Sequence, residues 1–342
     1  MKKVVLGFSG GVDSAVCAAL LKDEGYDVYG VYLDNSDKAA LEAARIGADY
    51  SGISLEVKDV RAELEEHVCK PFAAAYLSGE TPNPCILCNP VLKFRQLLSA
   101  ADSIGADYIA TGHYARTALL PSGKRALLKG NPENDQSYML CRILPSQLDR
   151  LLLPIGGLPK RDVRKIAEEL SLPAAQKPDS MEICFIPDKD YLSWLGRRES
   201  VPGKGDLFFH GEVIGEHEGI CRYTVGQRYP GLIDGRKVYI ARINSADNSI
   251  ELGLWEELFK TELTARDFRW LCDPPSGICS GLSVRVRHTK WENPPCTVDP
   301  QEDGSVKIVC EEPVRAPAPG QAAALYDGDR ALGGGFIVNS SF

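Results

Sequence analysis

The sequence lacks any apolar stretch long enough to span a membrane. The apolar run that follows Met-Lys-Lys, Val4 to Phe8, is broken at once by Ser9-Gly10-Gly11, far short of a leader or a transmembrane helix. It has no low-complexity tract and no internal repeat, so neither disorder nor a solenoid is the starting assumption. Its glycine-rich loop lacks the Gly-Lys-Ser/Thr ending of a Walker loop, and its one Cys-x-x-Cys, Cys85 to Cys88, has no second pair at similar spacing to complete a four-ligand zinc site. Eleven cysteines without a leader point to a reducing cytoplasm, where thiols serve as small hydrophobes, ligands or nucleophiles rather than staples. The net charge of −8 neither supports nor excludes a nucleic-acid partner, because a local basic face suffices for phosphate binding.

What is present is a chain of 342 residues, more than one core usually organises, so two or three domains are expected. Val4 to Phe8 reads as a buried strand, Ser14 to Glu24 as a helix closed by Gly25, and Val28 to Leu33 as a second strand. A helix over Lys38 to Ile46 ending at Gly47, a strand over Tyr108 to Thr111 and a helix over Arg161 to Leu170 continue the alternation. That pattern predicts an α/β domain with a Rossmann-like parallel sheet over 1–195. After Gly196 glycine and proline recur between short β-branched runs, predicting a small β-rich central domain over 196–261. Alternating stretches at Ser283 to Arg287, Val306 to Val309 and Ala323 to Tyr326 predict a C-terminal antiparallel β-barrel over 262–342.

Ser9-Gly10-Gly11-Val12-Asp13-Ser14 falls between the first strand and the first helix, where backbone N–H groups and a helix N-terminus converge on an anion such as a pyrophosphate. An ordinary glycine turn capped by Ser9 or Asp13 is the plain alternative; Asp13 is either that cap or a magnesium partner. The loop resembles that of the ATP pyrophosphatases, which split ATP to AMP and pyrophosphate while adenylating an oxygen.

Thr81-Pro82-Asn83-Pro84-Cys85-Ile86-Leu87-Cys88-Asn89 reads as a proline-bounded loop ahead of a helix over Val91 to Ala101, with Pro90 in its first turn and Cys88 at its N-terminus. There the dipole lowers a thiol pKa; half a zinc site, or simple packing, is the competing reading. Cys184 lies in a polar loop leading to an apolar strand. The remaining cysteines, from Cys17 to Cys310, show no metal spacing and read as core or incidental thiols.

Taken together, Ser9 to Ser14, Thr81 to Asn89, Ala110-Thr111-Gly112-His113-Tyr114-Ala115, Asp135-Gln136-Ser137-Tyr138, Asp179-Ser180 with Ile183-Cys184-Phe185, Tyr223 to Arg228, and Ala318-Pro319-Gly320-Gln321 through Leu332-Gly333-Gly334 resemble the tRNA-specific 2-thiouridylases, from residue 4 to about 337. The resemblance implies an ATP- and Mg2+-dependent cytoplasmic enzyme, a monomer, that thiolates the wobble uridine of tRNA. ATP would lie on Gly7, Phe8, Ser9, Gly10, Gly11, Val12, Asp13 and Ser14, with Leu33 and Gly112 beside the adenosine. Cys184 would carry persulfide sulfur from a donor protein or sulfide, and Cys88, the nucleophile, would release that sulfur by forming a disulfide with Cys184 or assist as the second catalytic thiol. Asn83, Pro84 and Cys85 would touch the target base, and His113, Asn134, Asp135, Gln136, Arg287, His288 and Gln321 would contact tRNA, with the barrel positioning it.

Three departures stand out. Cys85 occupies a position where many relatives carry Asp, the segment after Leu33 is short, and Asn134 replaces a usual lysine. Cys85, Cys88 and Cys184 together supply three thiolates, enough to hold a [4Fe–4S] cluster with one open iron, an alternative route to the same thiolation. A small-molecule adenylating ligase and a nucleotide-gated RNA-binding module are the other readings; neither needs the thiols. Arg285, Arg287 and Lys290 form either a solvated face or a phosphate-contacting stripe, and His113 is either a satisfied strand-end histidine or part of the site.

Overall fold

The computed structural model describes residues 1–178, 183–288 and 293–338. The chain opens with β1 (Lys3–Gly7), α1 (Val12–Asp23), β2 (Asp27–Asp34), α2 (Lys38–Ser51) and β3 (Ser54–Asp59), followed by β4 (Tyr108–Ala110), a hairpin of β5 (Ala115–Leu119) and β6 (Arg125–Lys129), and β7 (Leu151–Leu152). β1 is enclosed on both faces, as a central parallel strand requires. Val4 and Leu6 pack with Ala15, Val16 and Ala18 of α1, whereas Val5 points to the opposite layer, formed by Phe94, Leu97 and Ala100 of the Phe94–Ser103 helix. The strands run parallel in the order β3-β2-β1-β4-β7. Strand order therefore reverses between β1 and β4, the switch point where open α/β sheets bind ligands.

The central domain is a five-stranded sheet of β8 (Gly205–Phe209), β9 (Glu212–His217), β10 (Arg228–Ile233), β11 (Arg236–Asn244) and β12 (Ser249–Gly253), ordered β10-β11-β12-β8-β9. Its core of Leu207, Val238, Ile240, Ile250 and Leu252 is continuous with Phe72 and Trp194 from the first half of the chain. The C-terminal strands β13 (Phe259–Trp270), β14 (Cys279–Arg285), β15 (Pro295–Pro300), β16 (Val306–Arg315), β17 (Ala322–Asp327) and β18 (Arg330–Ile337) close into an antiparallel barrel through the β13–β18 pairing. The β5–β6 hairpin adds to that barrel, pairing Leu128 with Arg330 and Leu127 with Ala331. Two early strands thus stitch the nucleotide-type domain to the barrel.

Some elements differ from the sequence expectation. α2 does not stop at Gly47: the residue lies inside the helix because a Cβ there would stand 3.2 Å from the Phe8 ring, and the stop is Gly52 at φ +59. The helix expected from Val91 begins at Pro84, capped by Asn83, whose side chain accepts from the Cys85 N–H. Pro90 is carried inside it by a wide turn over Asn89–Lys93, closed by Phe94 N–H to Asn89 C=O. A proline cannot donate to the ladder, and an i→i+5 turn tolerates the gap. The described residues directly after Cys184 form no strand; Ile186 N–H closes a turn on Ile183 C=O, and Phe185 packs edge-on against Phe72.

Candidate nucleotide and sulfur-transfer site

The loop after β1 is shaped by close backbone approach. Gly10 has φ +71, and a Cβ on it would stand 2.5 Å from the Ala44 nitrogen of α2. Gly112, just beyond β4, lies against the same loop, where a Cβ would be 3.0 Å from Asp13 Cβ. At Gly10, with positive φ and backbone this close, only glycine fits, and at Gly112 a side chain would crowd the loop. Phe8 and Val12 are core residues with buried side chains, so they offer a nucleotide their backbone alone. Ser14 Oγ donates to Gly11 C=O at 3.0 Å, and Gly11 N–H faces Ser9 Oγ at 3.4 Å.

Asp13 is not the helix cap. Gly11 holds that position without a side-chain bond, and the Asp13 carboxylate instead receives Lys160 Nζ at 2.7 and 2.9 Å and the Tyr114 hydroxyl at 2.5 Å. Lys160, which no motif of the sequence includes, brings a cation to the loop from a remote segment, and Tyr114, expected only as part of the Ala110 to Ala115 motif, adds its hydroxyl. No local motif announces such a pairing.

All eleven cysteines are free thiols. Cys85 occupies the helix N-terminus, one residue after Pro84, and is exposed. Cys88 is a turn further on and half-buried. The expectation of a dipole-activated Cys88 is therefore corrected: the dipole acts on the first turn, and burial pushes the Cys88 thiol up to about 11. Cys184 is an exposed residue, yet the protein packed around its thiol raises the thiol's pKa, with Cys85 adding to the rise. Cys184 C=O accepts from Asn35 Nδ2 at 3.0 Å, fixing its loop to the end of β2.

Cys85 and Cys184 each add to the rise of the Cys88 thiol, so the three thiols share one electrostatic neighbourhood, although among the described residues they are not grouped as metal ligands. Lys93 opposes the upward shifts of Cys88 and Cys184 and stands 3.5 Å from His113 Nε2. It is a cation of this neighbourhood that the sequence expectation does not include. His113 Nδ1 lies 2.8 Å from Thr111 Oγ1. Burial, then Lys93, holds the imidazole well below its ordinary pKa, leaving it neutral.

The expected tRNA-contact set divides. Asp135 is buried, and its carboxylate accepts from Gly130 N–H at 2.7 Å, Ser137 N–H at 3.0 Å, Ser137 Oγ at 2.9 Å and Arg285 Nη1 at 2.7 Å. With every lone pair taken, its side chain is an internal tie and not an RNA contact. Arg287 donates to Val225 C=O at 2.7 Å and Ala316 C=O at 2.6 Å, joining the central domain to the barrel. Gln136 Oε1 accepts from Tyr114 N–H at 3.0 Å, and Gln321 Nε2 donates to Thr81 C=O at 2.7 Å. Asn134 is half-buried, with Nδ2 3.5 Å from Leu158 C=O. His288 is exposed, its Nε2 3.2 Å from Asp135 C=O. Leu33 is half-buried at the end of β2. Asn83 and Pro84 are half-buried at the start of the cysteine helix. Asp179, Ser180 and Lys290 lie outside the described residues.

A family model described as the tRNA methyl transferase HUP domain matches residues 2–188, one described as the tRNA methyl transferase PRC-barrel domain matches 199–253, and one described as the aminomethyltransferase beta-barrel domain matches 260–337. The tRNA-specific 2-thiouridylase MnmA of Syntrophotalea carbinolica is 40% identical, over 98% of this chain and 99% of its own length. The enzyme of the same name from Acetivibrio thermocellus is 39% identical over 98% and 99%, and that from Desulforudis audaxviator 40% over 98% of each. The chain belongs to the tRNA-specific 2-thiouridylase family. Membership accounts for the parallel-sheet, central and barrel architecture. Cys85 is the more exposed of the two thiols on the cysteine helix.

Proposed function

We propose that the chain is an ATP-dependent tRNA sulfurtransferase that makes 2-thiouridine at the wobble position. The observation that carries this reading is that Cys88 and Cys184 are both free thiols, that Cys184 adds to the rise of Cys88 and that Lys93 eases both, on a fold whose glycine loop lies at the sheet's switch point. The family models carry a methyl-transfer label, but paired thiols at this position favour sulfur chemistry. ATP is bound along Gly7 to Ser14, between Leu33 and Gly112, with backbone N–H groups of the loop and the N-terminus of α1 meeting its phosphates.

The uridine O2 attacks the α-phosphorus, and pyrophosphate leaves. The terminal sulfur of a Cys184 persulfide then attacks C2, and AMP leaves with the former O2. The Cys88 thiolate attacks the Cys184 sulfur, forming a Cys88–Cys184 disulfide and releasing the thiouridine sulfur; a thiol reductant returns both cysteines to the free state. A persulfide donor protein reloads the free Cys184 thiolate by passing on its outer sulfur and leaving as a thiol; sulfide can do so only by attacking the Cys88–Cys184 disulfide at Cys184, which gives the Cys184 persulfide and frees the Cys88 thiolate. Lys93 lowers the cost of each thiolate formed on this path. Asn83, Pro84 and Cys85 flank the flipped base, whose unstacking is cheap in an anticodon loop, and His113, Gln136 and His288 face the tRNA.

Mg2+ arrives with the nucleotide in this scheme. Asp13 is engaged by Lys160, and among the described residues no three His, Cys, Asp or Glu side chains are grouped as metal ligands. The chain is assigned as a cytoplasmic monomer divided at 195/196 and 261/262. No described helix is long and apolar enough to cross a membrane.

The test is a purified reaction with ATP, unmodified tRNA and a persulfide source, reading AMP and 2-thiouridine. Wild type should form both, and Cys184→Ser should form no 2-thiouridine. A small-molecule ligase would instead form AMP without tRNA and be indifferent to both cysteines.

The proximity of Cys85 to Cys88 and Cys184 favours a second reading, the same thiolation through a [4Fe–4S] cluster on those three thiolates. The side chains would have to draw together to ligate it, since they are not grouped as ligands in this arrangement. Anaerobic reconstitution with iron and sulfide, followed by absorption and electron paramagnetic resonance spectra, decides: bound iron lost in Cys85→Ser supports the cluster, and an iron-free active enzyme contradicts it.

A further inference from the structure

The segment leading into the Pro84–Cys88 helix is held from outside its own domain, residue by residue. Gly79, at φ +74, abuts β11: a Cβ there would stand 2.7 Å from Ile243 Cγ2. Glu80 receives both guanidinium nitrogens of Arg266 in β13, at 2.8 and 3.1 Å. Gly320, at φ +84, closes over it, where a Cβ would meet Glu80 Cβ at 2.9 Å. Thr81 N–H donates to Pro319 C=O at 2.7 Å, Thr81 C=O accepts from Gln321 Nε2 at 2.7 Å, and Thr81 Oγ1 lies 3.3 Å from Thr224 Oγ1 of the central domain. Pro82 and Pro84 then stiffen the link to Asn83, which caps the helix through Cys85 N–H at 3.1 Å.

We propose that these contacts form a clamp by which the barrel and the central domain position the cysteine helix, with Glu80–Arg266 and Thr81–Gln321 as its principal pairs. Glu80 is largely enclosed, with 15% of its side chain accessible, and both its carboxylate oxygens are engaged by the Arg266 guanidinium fork. Both backbone polar groups of Thr81 are satisfied by barrel residues, leaving the segment no independent position. Two prolines fix φ on either side of Asn83, so a shift at Glu80 or Thr81 is transmitted to Cys85 and Cys88 rather than absorbed. Gln321 and Arg266 are on this account positioning residues: they act on the sulfur through the backbone of the clamped segment. The inference rests on the sulfur-transfer reading for its consequence, not for its geometry.

The test uses full-length Arg266→Met, Gln321→Met and the exchanged pair Glu80→Arg with Arg266→Glu. Single-turnover thiolation is measured beside site-resolved alkylation of Cys88 at fixed pH, with ATP affinity as a control for folding. Each single variant should slow thiolation roughly ten- to a hundredfold, since small displacements of reacting groups cost that much, with KM for tRNA little changed and the Cys88 alkylation rate altered. The exchanged pair should recover most of the loss. Wild-type thiolation rates, a loss confined to KM, or an unchanged Cys88 alkylation rate in both single variants overturns the clamp. If wild type forms no 2-thiouridine, the sulfur-transfer reading fails, and the alkylation arm still tests the clamp alone.

Discussion

Asp135 and Arg285 meet at 2.7 Å across 150 positions of sequence, with only 9% and 12% of their side chains accessible. The pair links the turn after the β5–β6 hairpin to the barrel strand β14, and Ser137 Oγ extends the network to the Tyr326 hydroxyl at 3.0 Å. Removing one partner of a buried pair strands the other charge. Arg285→Met is therefore expected to cost about 3 kcal/mol of stability, read as a lower urea midpoint. Unchanged stability would contradict the role of this pair as an interdomain tie.

Gly10 and Gly25 share positive φ, +71 and +83, but differ in surroundings: a Cβ on Gly25 would meet nothing within 4 Å, whereas one on Gly10 would collide with α2. Gly25→Ala should cost about 1 kcal/mol from backbone strain. Gly10→Ala should cost more and weaken ATP binding as α2 is pushed from the loop. Thermal unfolding with and without ATP separates the two, and equal effects would contradict the close packing of loop and helix.

His113 gives a pH dependence of known sign. Its folded pKa lies well below the ordinary value of 6.5, by burial and then by Lys93, so below pH 6.5 the unfolded chain takes up a proton that the folded chain refuses. Stability from the neutral ring is full above that pH and falls as the pH drops, by up to about 1.4 kcal/mol per unit for one proton. Urea unfolding between pH 7.5 and 5 should show a shallower decline in His113→Gln than in wild type; parallel curves would contradict a buried neutral ring.

Much of the fold was legible because its signals are local. The buried run Val4 to Leu6, the Ser9 to Ser14 loop and the Ala-rich α2 declare a strand, a phosphate-type turn and a helix through periodicity alone. The end of α2 was misjudged because Gly47 serves packing against Phe8 rather than chain reversal. The helix at Pro84 was placed late because Pro90 reads as a helix start, while the cap that matters, Asn83, lies seven residues earlier. At the site, the cysteines were identifiable from motifs, but their environment was not. Lys93 approaches Cys184 only through the fold, and the commitment of Asp135, Arg287 and Gln321 to interdomain bonds depends on partners far away in sequence. Polar residues within a motif do not reveal whether they face solvent or another domain.

The central claim is that Cys88 and Cys184 carry sulfur to a tRNA uridine. The measurement that tests it most directly is mass spectrometry of nucleosides from tRNA of cells lacking this gene, complemented with wild type, Cys88→Ala or Cys184→Ala. The account predicts that wild type restores 2-thiouridine derivatives and that both variants leave them absent. Restoration by all three would contradict it.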